Sequence, residues 1–193
     1  MEEFIKLLTM HSIAVICDVR SVPYSQYASQ FNKELINKEL QKHNIRYVFL
    51  GKELGVKSDN PRCYANGRVQ YKCLAQEPLF NQGINRLLEG IKNHRVTLMC
   101  AEKDPMTCHR TILICRHLRS KCVEIKHILE DGKIEYNTDL EQRLLGALKL
   151  PQYDLFTSQE TFIEMAYDMQ GEKIAYVDDQ DRQDAETVYD RIY

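Results

Sequence analysis

One continuous apolar run restricts the folds open to this chain more than any other feature. Residues 13–19 (IAVICDV) hold a single polar residue, Asp18, and lack the alternation of a strand with one wet face. Such a run fits a strand covered on both sides, which calls for helices on each face of a sheet. The neighbouring stretches supply them. Phe4, Leu7, Leu8 and His11 recur at helical spacing over residues 2–11, and Leu35, Ile36 and Leu40 do so over 32–43. Residues 45–50 (IRYVFL) and 95–101 (RVTLMCA) read as second and third strands, with an amphipathic helix over 79–92 before the third. A helix over 108–121 and a fourth strand over 123–128 follow. Asp131-Gly132 is a turn signal that returns residues 134–136 as a hairpin partner. Thr138, with Glu141 three residues on, forms a capping box opening a helix over 138–148.

This alternation predicts an α/β fold, a three-layer sandwich around a mostly parallel sheet, over residues 1–150. Residues 52–77, punctuated by Gly55, Asn60-Pro61 and Asn66-Gly67, predict a long loop with a short helix near 69–75. Pro151 separates the body from a C-terminal extension, residues 151–193, expected to pack partly on it. There 158–169 reads as a helix, 173–177 (KIAYV) as a short strand and 178–184 as a solvated charge run. The chain opens in a helix where an α/β unit normally opens in a strand. Either that helix packs on a sheet edge alone, or a strand lies upstream.

The net charge of -2 conceals an asymmetry: residues 1–150 carry net +6 and residues 151–193 net -8. A basic body suits an anionic ligand, although lysines scattered on solvated helix faces give the same count. No apolar run approaches the ~20 residues of a membrane helix. The opening MEEFIK places acids where a secretory leader needs bases, which predicts the cytoplasm and no membrane partner. Seven cysteines (17, 63, 73, 100, 108, 115 and 122), without CxxC spacing, argue against a disulfide framework. Cys108 and Cys115 fall on one helix face, as a core stripe would.

Ligands of open α/β sheets bind at the carboxyl ends of the strands. Two loops leaving such ends are rich in functional side chains. In the first, residues 18–26 (DVRSVPYSQ), Asp18 is a candidate general base and Arg20 a planar fork for phosphate or carboxylate. The bland alternative is that the two pair with each other and only hold the loop. In the second, residues 100–110 (CAEKDPMTCHR), Thr107 reads as a helix N-cap with Cys108 in the first turn. The positive dipole end there would lower the thiol's pKa and make Cys108 a nucleophile. His109 and Glu102 could move protons, and Arg110 could hold an anion. Cys108 could equally be inert packing. A zinc or iron site from Cys100, Cys108 and His109 lacks a clear fourth ligand at typical spacing, so no metal is assigned, and the cofactor is left open. Arg62, Tyr64, Arg68, Tyr71 and Lys72 could stack on and neutralise nucleic acid, without any recognised motif.

Both loops bear on a resemblance. DVRSVPYS (residues 18–25), Phe31-Asn32, Leu54-Gly55, LMCAEKDPMTCHR (98–110), His127-Ile128 with Asp131-Gly132, and the later QYDLF and KIAY stretches resemble a bacterial and archaeal domain of unknown function numbered 488. The resemblance implies the α/β fold and two site loops but no settled reaction. Members usually open with a strand bearing Thr-Ile-Gly-His-Ser, absent here, and commonly have arginine where this chain has Gln26. The expectation is therefore a cysteine-dependent enzyme acting on a phosphorylated or nucleotide-like substrate. Cys108, His109, Glu102 and Asp18 would be catalytic, and Arg20, Ser21, Ser25, Asn32 and Arg110 would bind substrate. The alternatives are a non-catalytic nucleotide or nucleic-acid binding module and a degenerate member.

Overall fold

The computed structural model of the chain describes residues 1–178, so the charge run expected at 178–184 lies outside them apart from Asp178. Helix α1 (Glu2–Met10) leads into strand β1 (Val15–Asp18), and α2 (Lys33–Lys42) leads into β2 (Arg46–Phe49). Helix α3 (Gly51–Leu54), the two-residue strands β3 (Tyr64–Ala65) and β4 (Arg68–Val69), and α4 (Tyr71–Leu74) occupy the long connection. Helix α5 (Pro78–Ile91) then precedes β5 (Val96–Met99).

The sheet has three strands in the order β2-β1-β5, all parallel, with Val15 opposite both Arg46 and Val96. β1 is central, and all four of its residues are buried, as its unbroken apolar run requires. Successive side chains of a strand point to opposite faces. Ile16 joins Ile5, Leu8, Ile36 and Leu40 beneath α1 and α2. Val15 and Cys17 join Phe80, Ile84, Leu87 and Ile114 on the other face. The expected α/β sandwich is thus present, with helices on both faces of a parallel sheet.

Several local expectations are corrected. Residues 123–128 do not add a fourth strand. β6 (Lys126–Ile128) pairs antiparallel with β7 (Ile134–Tyr136) as a separate hairpin, with Gly132 at φ +82° in its turn. In VEIKHI the exposed Glu124 and Lys126 alternate with Val123, Ile125 and the buried His127, so one face of the strand stays wet, and Cys122 at φ +56° redirects the chain before it. The helix expected from 108 is a π-helical segment (Arg110–Cys115) running into α6 (Arg116–Leu118) and a 3₁₀ turn (Arg119–Lys121). No capping box forms at Thr138. Helix α7 (Asn137–Ala147) starts a residue earlier, and Glu141 instead accepts hydrogen bonds from Asn137 Nδ2 and the Tyr167 hydroxyl.

Helix α8 (Gln159–Ile174) continues through the first residues of the expected KIAYV strand, leaving Val177 a single bridge to Arg68. Its Phe162, Ile163, Ala166 and Tyr167 pack on Ile112, Leu144 and Leu145. The cysteine reading also needs correction. Cys63 and Cys73 form a disulfide, because the Asn66-Gly67 hairpin turn folds their segment back until their Cα atoms are 5.2 Å apart. The other five cysteines are free thiols.

Candidate functional site

The two loops singled out in the sequence meet at the carboxyl end of the sheet. Val19 N–H donates to the Met99 carbonyl (3.1 Å), and the Val19 carbonyl accepts from His109 Nε2 (3.1 Å). A carbonyl can only accept, so Nε2 bears the proton and the Nδ1 lone pair faces the other way. There it meets Cys100 Sγ at 3.4 Å.

Asp18 is fully buried and its carboxylate is saturated. Oδ1 accepts from Arg20 backbone N–H and Nε, and Oδ2 accepts from Arg20 Nη2 (2.6 Å) and the Tyr47 hydroxyl (2.7 Å). Arg20 Nη2 also donates to the Phe31 carbonyl (2.9 Å). The geometry is that of an internal clamp, in which the two residues pair with each other and hold the loop. Ser21 Oγ accepts from Val56 and Lys57 N–H, tying down the next loop. Ser25 Oγ accepts from Tyr27 and Ala28 N–H, and Ser25 N–H donates to Asn32 Oδ1 (2.7 Å). The polar groups of these four expected binding residues are thus largely engaged in holding the loop. Arg110 differs. Its one hydrogen bond is to the Lys103 carbonyl at 3.3 Å, and it forms no ion pair among the described residues.

The second loop carries a compact donor cluster. Glu102 Oε2 lies 2.8 Å from Cys100 Sγ and 3.1 Å from Cys108 Sγ. The donor atoms of Cys100, Glu102, Cys108 and His109 all lie within 4.8 Å of one another, so these four side chains could hold a metal ion. Cys108 is not in a helix's first turn. Its backbone is extended (φ -119°, ψ 137°), Asp104 rather than Thr107 caps the preceding 3₁₀ turn, and the Cys108 carbonyl accepts from Thr111 and Ile112 N–H. Cys108 is thus the N-cap itself, one position before the expected first turn, and the hydrogen bond to Cys100 together with burial outweighs the helix end and pushes its thiol up.

Of the two thiols, Cys100 loses its proton first. A hydrogen bond from Cys108, aided by His109 and opposed by burial, brings Cys100 down to about 6. The same bond and burial push Cys108 upward. As a thiol, Cys100 donates to Glu102; once it is a thiolate, the Cys108 proton turns to it. Burial would lower His109, but Cys100 and the Val19 carbonyl outweigh it and raise the imidazole. Cys108 is fully enclosed, whereas Cys100 is partly exposed.

Sequence reasoning missed the supports. Asp104 pairs in a fork with Arg143 of α7 (2.9 and 3.0 Å), and Gln170 of α8 donates to the Met106 carbonyl (2.9 Å). The Tyr71 phenol is raised by burial and by the charges of Cys108, Glu102 and Cys100. No short-range signal links these residues to the loop, since their partners lie about 35–65 positions away (Asp104–Arg143 and Met106–Gln170 are separated by 39 and 64).

No curated protein and no solved structure matches the chain. One family does: its sequence pattern covers residues 1–116, which include both loops and every residue of the donor cluster. The later stretches, from His127 onward, lie beyond that match. With more than half of its length aligned, the chain belongs to the family described as domain of unknown function DUF488.

Proposed function

We propose that the chain is a cysteine-dependent enzyme acting on a phosphorylated or nucleotide-like substrate, with Cys100 rather than Cys108 as the attacking sulfur. The observation that carries this reading is geometric. Cys100 follows directly on β5, at the strand ends where ligands of such sheets bind, is open to solvent on one side, and has His109 Nδ1 at 3.4 Å. The Val19 carbonyl fixes the tautomer that lets His109 take the thiol proton. Arg110, which forms no ion pair among the described residues, is the residue left to meet the substrate's anionic group. Asp18 holds Arg20 and takes no proton from substrate.

The basic and aromatic residues of the long connection give less support to a nucleic-acid module. Arg68 donates to the Glu172 carbonyl, Lys72 pairs with Asp168 and the Tyr64 hydroxyl bonds with Ser58. Labelling with iodoacetamide, read peptide by peptide in chelator-treated protein, tests the reading. Cys100 is expected to alkylate several-fold faster than Cys122, the exposed thiol that serves as internal control. Equal or slower labelling of Cys100 would overturn the assignment.

A further inference from the structure

We propose that Cys100 Sγ, Glu102, Cys108 Sγ and His109 Nδ1 form a four-coordinate site for zinc. The sequence offered three of these ligands; the fourth, Glu102, becomes a ligand only in the fold, where its carboxylate reaches both sulfurs. A tetrahedron with metal–sulfur bonds of about 2.3 Å and metal–nitrogen or metal–oxygen bonds of about 2.0 Å has edges of roughly 3.3–3.8 Å. The donors here already lie 3.4 Å (sulfur to nitrogen), 3.1 Å and 2.8 Å (sulfur to oxygen) apart, all within 4.8 Å. Receiving a cation means widening the two sulfur–oxygen separations at Glu102, the most exposed of the four, by about 0.4–0.7 Å toward the roughly 3.5 Å that such an edge requires.

The surroundings match as well. A ligating histidine typically donates its second ring N–H to a carbonyl or carboxylate, which orients the ring and fixes the tautomer. Val19 does this for His109, across 90 residues of sequence. The loop that carries the donors is tied to α7 through Asp104–Arg143 and to α8 through Met106–Gln170, so the shell does not need metal to assemble it. Two thiolates and an imidazole select zinc over magnesium or calcium, which take oxygen shells.

The proposal goes beyond the cysteine reading, because zinc and an electrophile compete for the same Cys100 sulfur. The metal-loaded chain would be quiescent and the stripped chain reactive. Titration of the stripped full chain with cobalt(II) provides the test. Binding of one equivalent is expected, with visible bands of tetrahedral cobalt and near-ultraviolet sulfur-to-cobalt charge transfer. Zinc should displace it.

Cys100→Ser and Glu102→Ala should weaken binding by more than the ~10–100-fold that loss of an outer-shell partner costs. Both replaced residues are accessible, so folding is readily checked by circular dichroism. A double Cys63→Ser, Cys73→Ser variant should bind cobalt as the parent does. Octahedral spectra without charge transfer, unchanged affinity in Glu102→Ala, or binding that follows Cys63 and Cys73 would each overturn the site. Iodoacetamide labelling of Cys100 in stripped protein is scored separately, so either idea can fail while the other stands.

Discussion

At the scale of single residues, burial decides which member of each candidate pair is free to act. Asp18 and Arg20 carry charges suited to catalysis, yet their groups are spent on each other, on Tyr47 and on the Phe31 carbonyl. Breaking a buried pair on one side leaves the other charge unmatched, which costs about 3–5 kcal/mol. Asp18→Asn should therefore lose stability of that order in urea titration and, where folded, still label at Cys100. A stable variant with a silent Cys100 would instead give Asp18 a chemical role. The cysteines follow the same logic. Cys108 does stand at a helix start, as its N-cap rather than in the first turn, but its sulfur is enclosed and pushed up by Cys100 and by burial. That Cys100 would be half-open and face an imidazole depended on His109 turning toward β1, which no local pattern records.

At the scale of elements, legibility followed the length of the apolar pattern. β1 was readable because a central strand buries both faces, whereas 123–128 was misassigned because alternation suits a sheet edge and a free hairpin alike. The extension of α8 past Met169 was hidden by KIAYV, whose β-branched residues favour strands until Ile174 finds its place beside the α7–α8 core. What holds α8 down is partly polar. Tyr167 donates to Glu141 in a fully buried contact (2.9 Å), and hydrogen bonds to charged groups contribute about 1.5–3 kcal/mol. Tyr167→Phe should lower the urea midpoint by a corresponding amount. Asp168 on the same helix would be raised by burial, but hydrogen bonds from Lys72 and Arg116 dominate and hold it low. A carboxylate depressed in the folded chain lends stability that is complete above its unfolded value of about 3.9 and drains as pH falls through the folded one. Acid should thus loosen α8, and Asp168→Asn should flatten the acid limb of a stability–pH curve. An unaltered limb would assign the loosening to other carboxylates.

At the scale of the whole molecule, the donor cluster lies where three regions converge: the turn after β1 through Val19, the loop after β5, and the C-terminal helices through Arg143 and Gln170. An unfolded chain keeps Cys100, Glu102, Cys108 and His109 close in sequence but loses the Val19 carbonyl and the ties to α7 and α8. Zinc therefore binds the folded chain in preference, and its binding energy becomes stability. At a free concentration one hundred times the dissociation constant the linkage is worth about 2.7 kcal/mol. For a chain of this size each kcal/mol moves the midpoint by about 2–4 °C, so a strong chelator should lower the melting temperature by roughly 5–10 °C. In Cys100→Ser the same chelator should have little effect. The comparison separates a linked metal centre from an incidental one: a cation bound at a carboxylate patch on the surface would shift both proteins alike. Because Gln170 buttresses the loop from α8, Gln170→Ala should reduce the chelator-sensitive part of the melting temperature without touching any ligand. If Gln170→Ala leaves that part intact, the C-terminal helix packs on the site without supporting it.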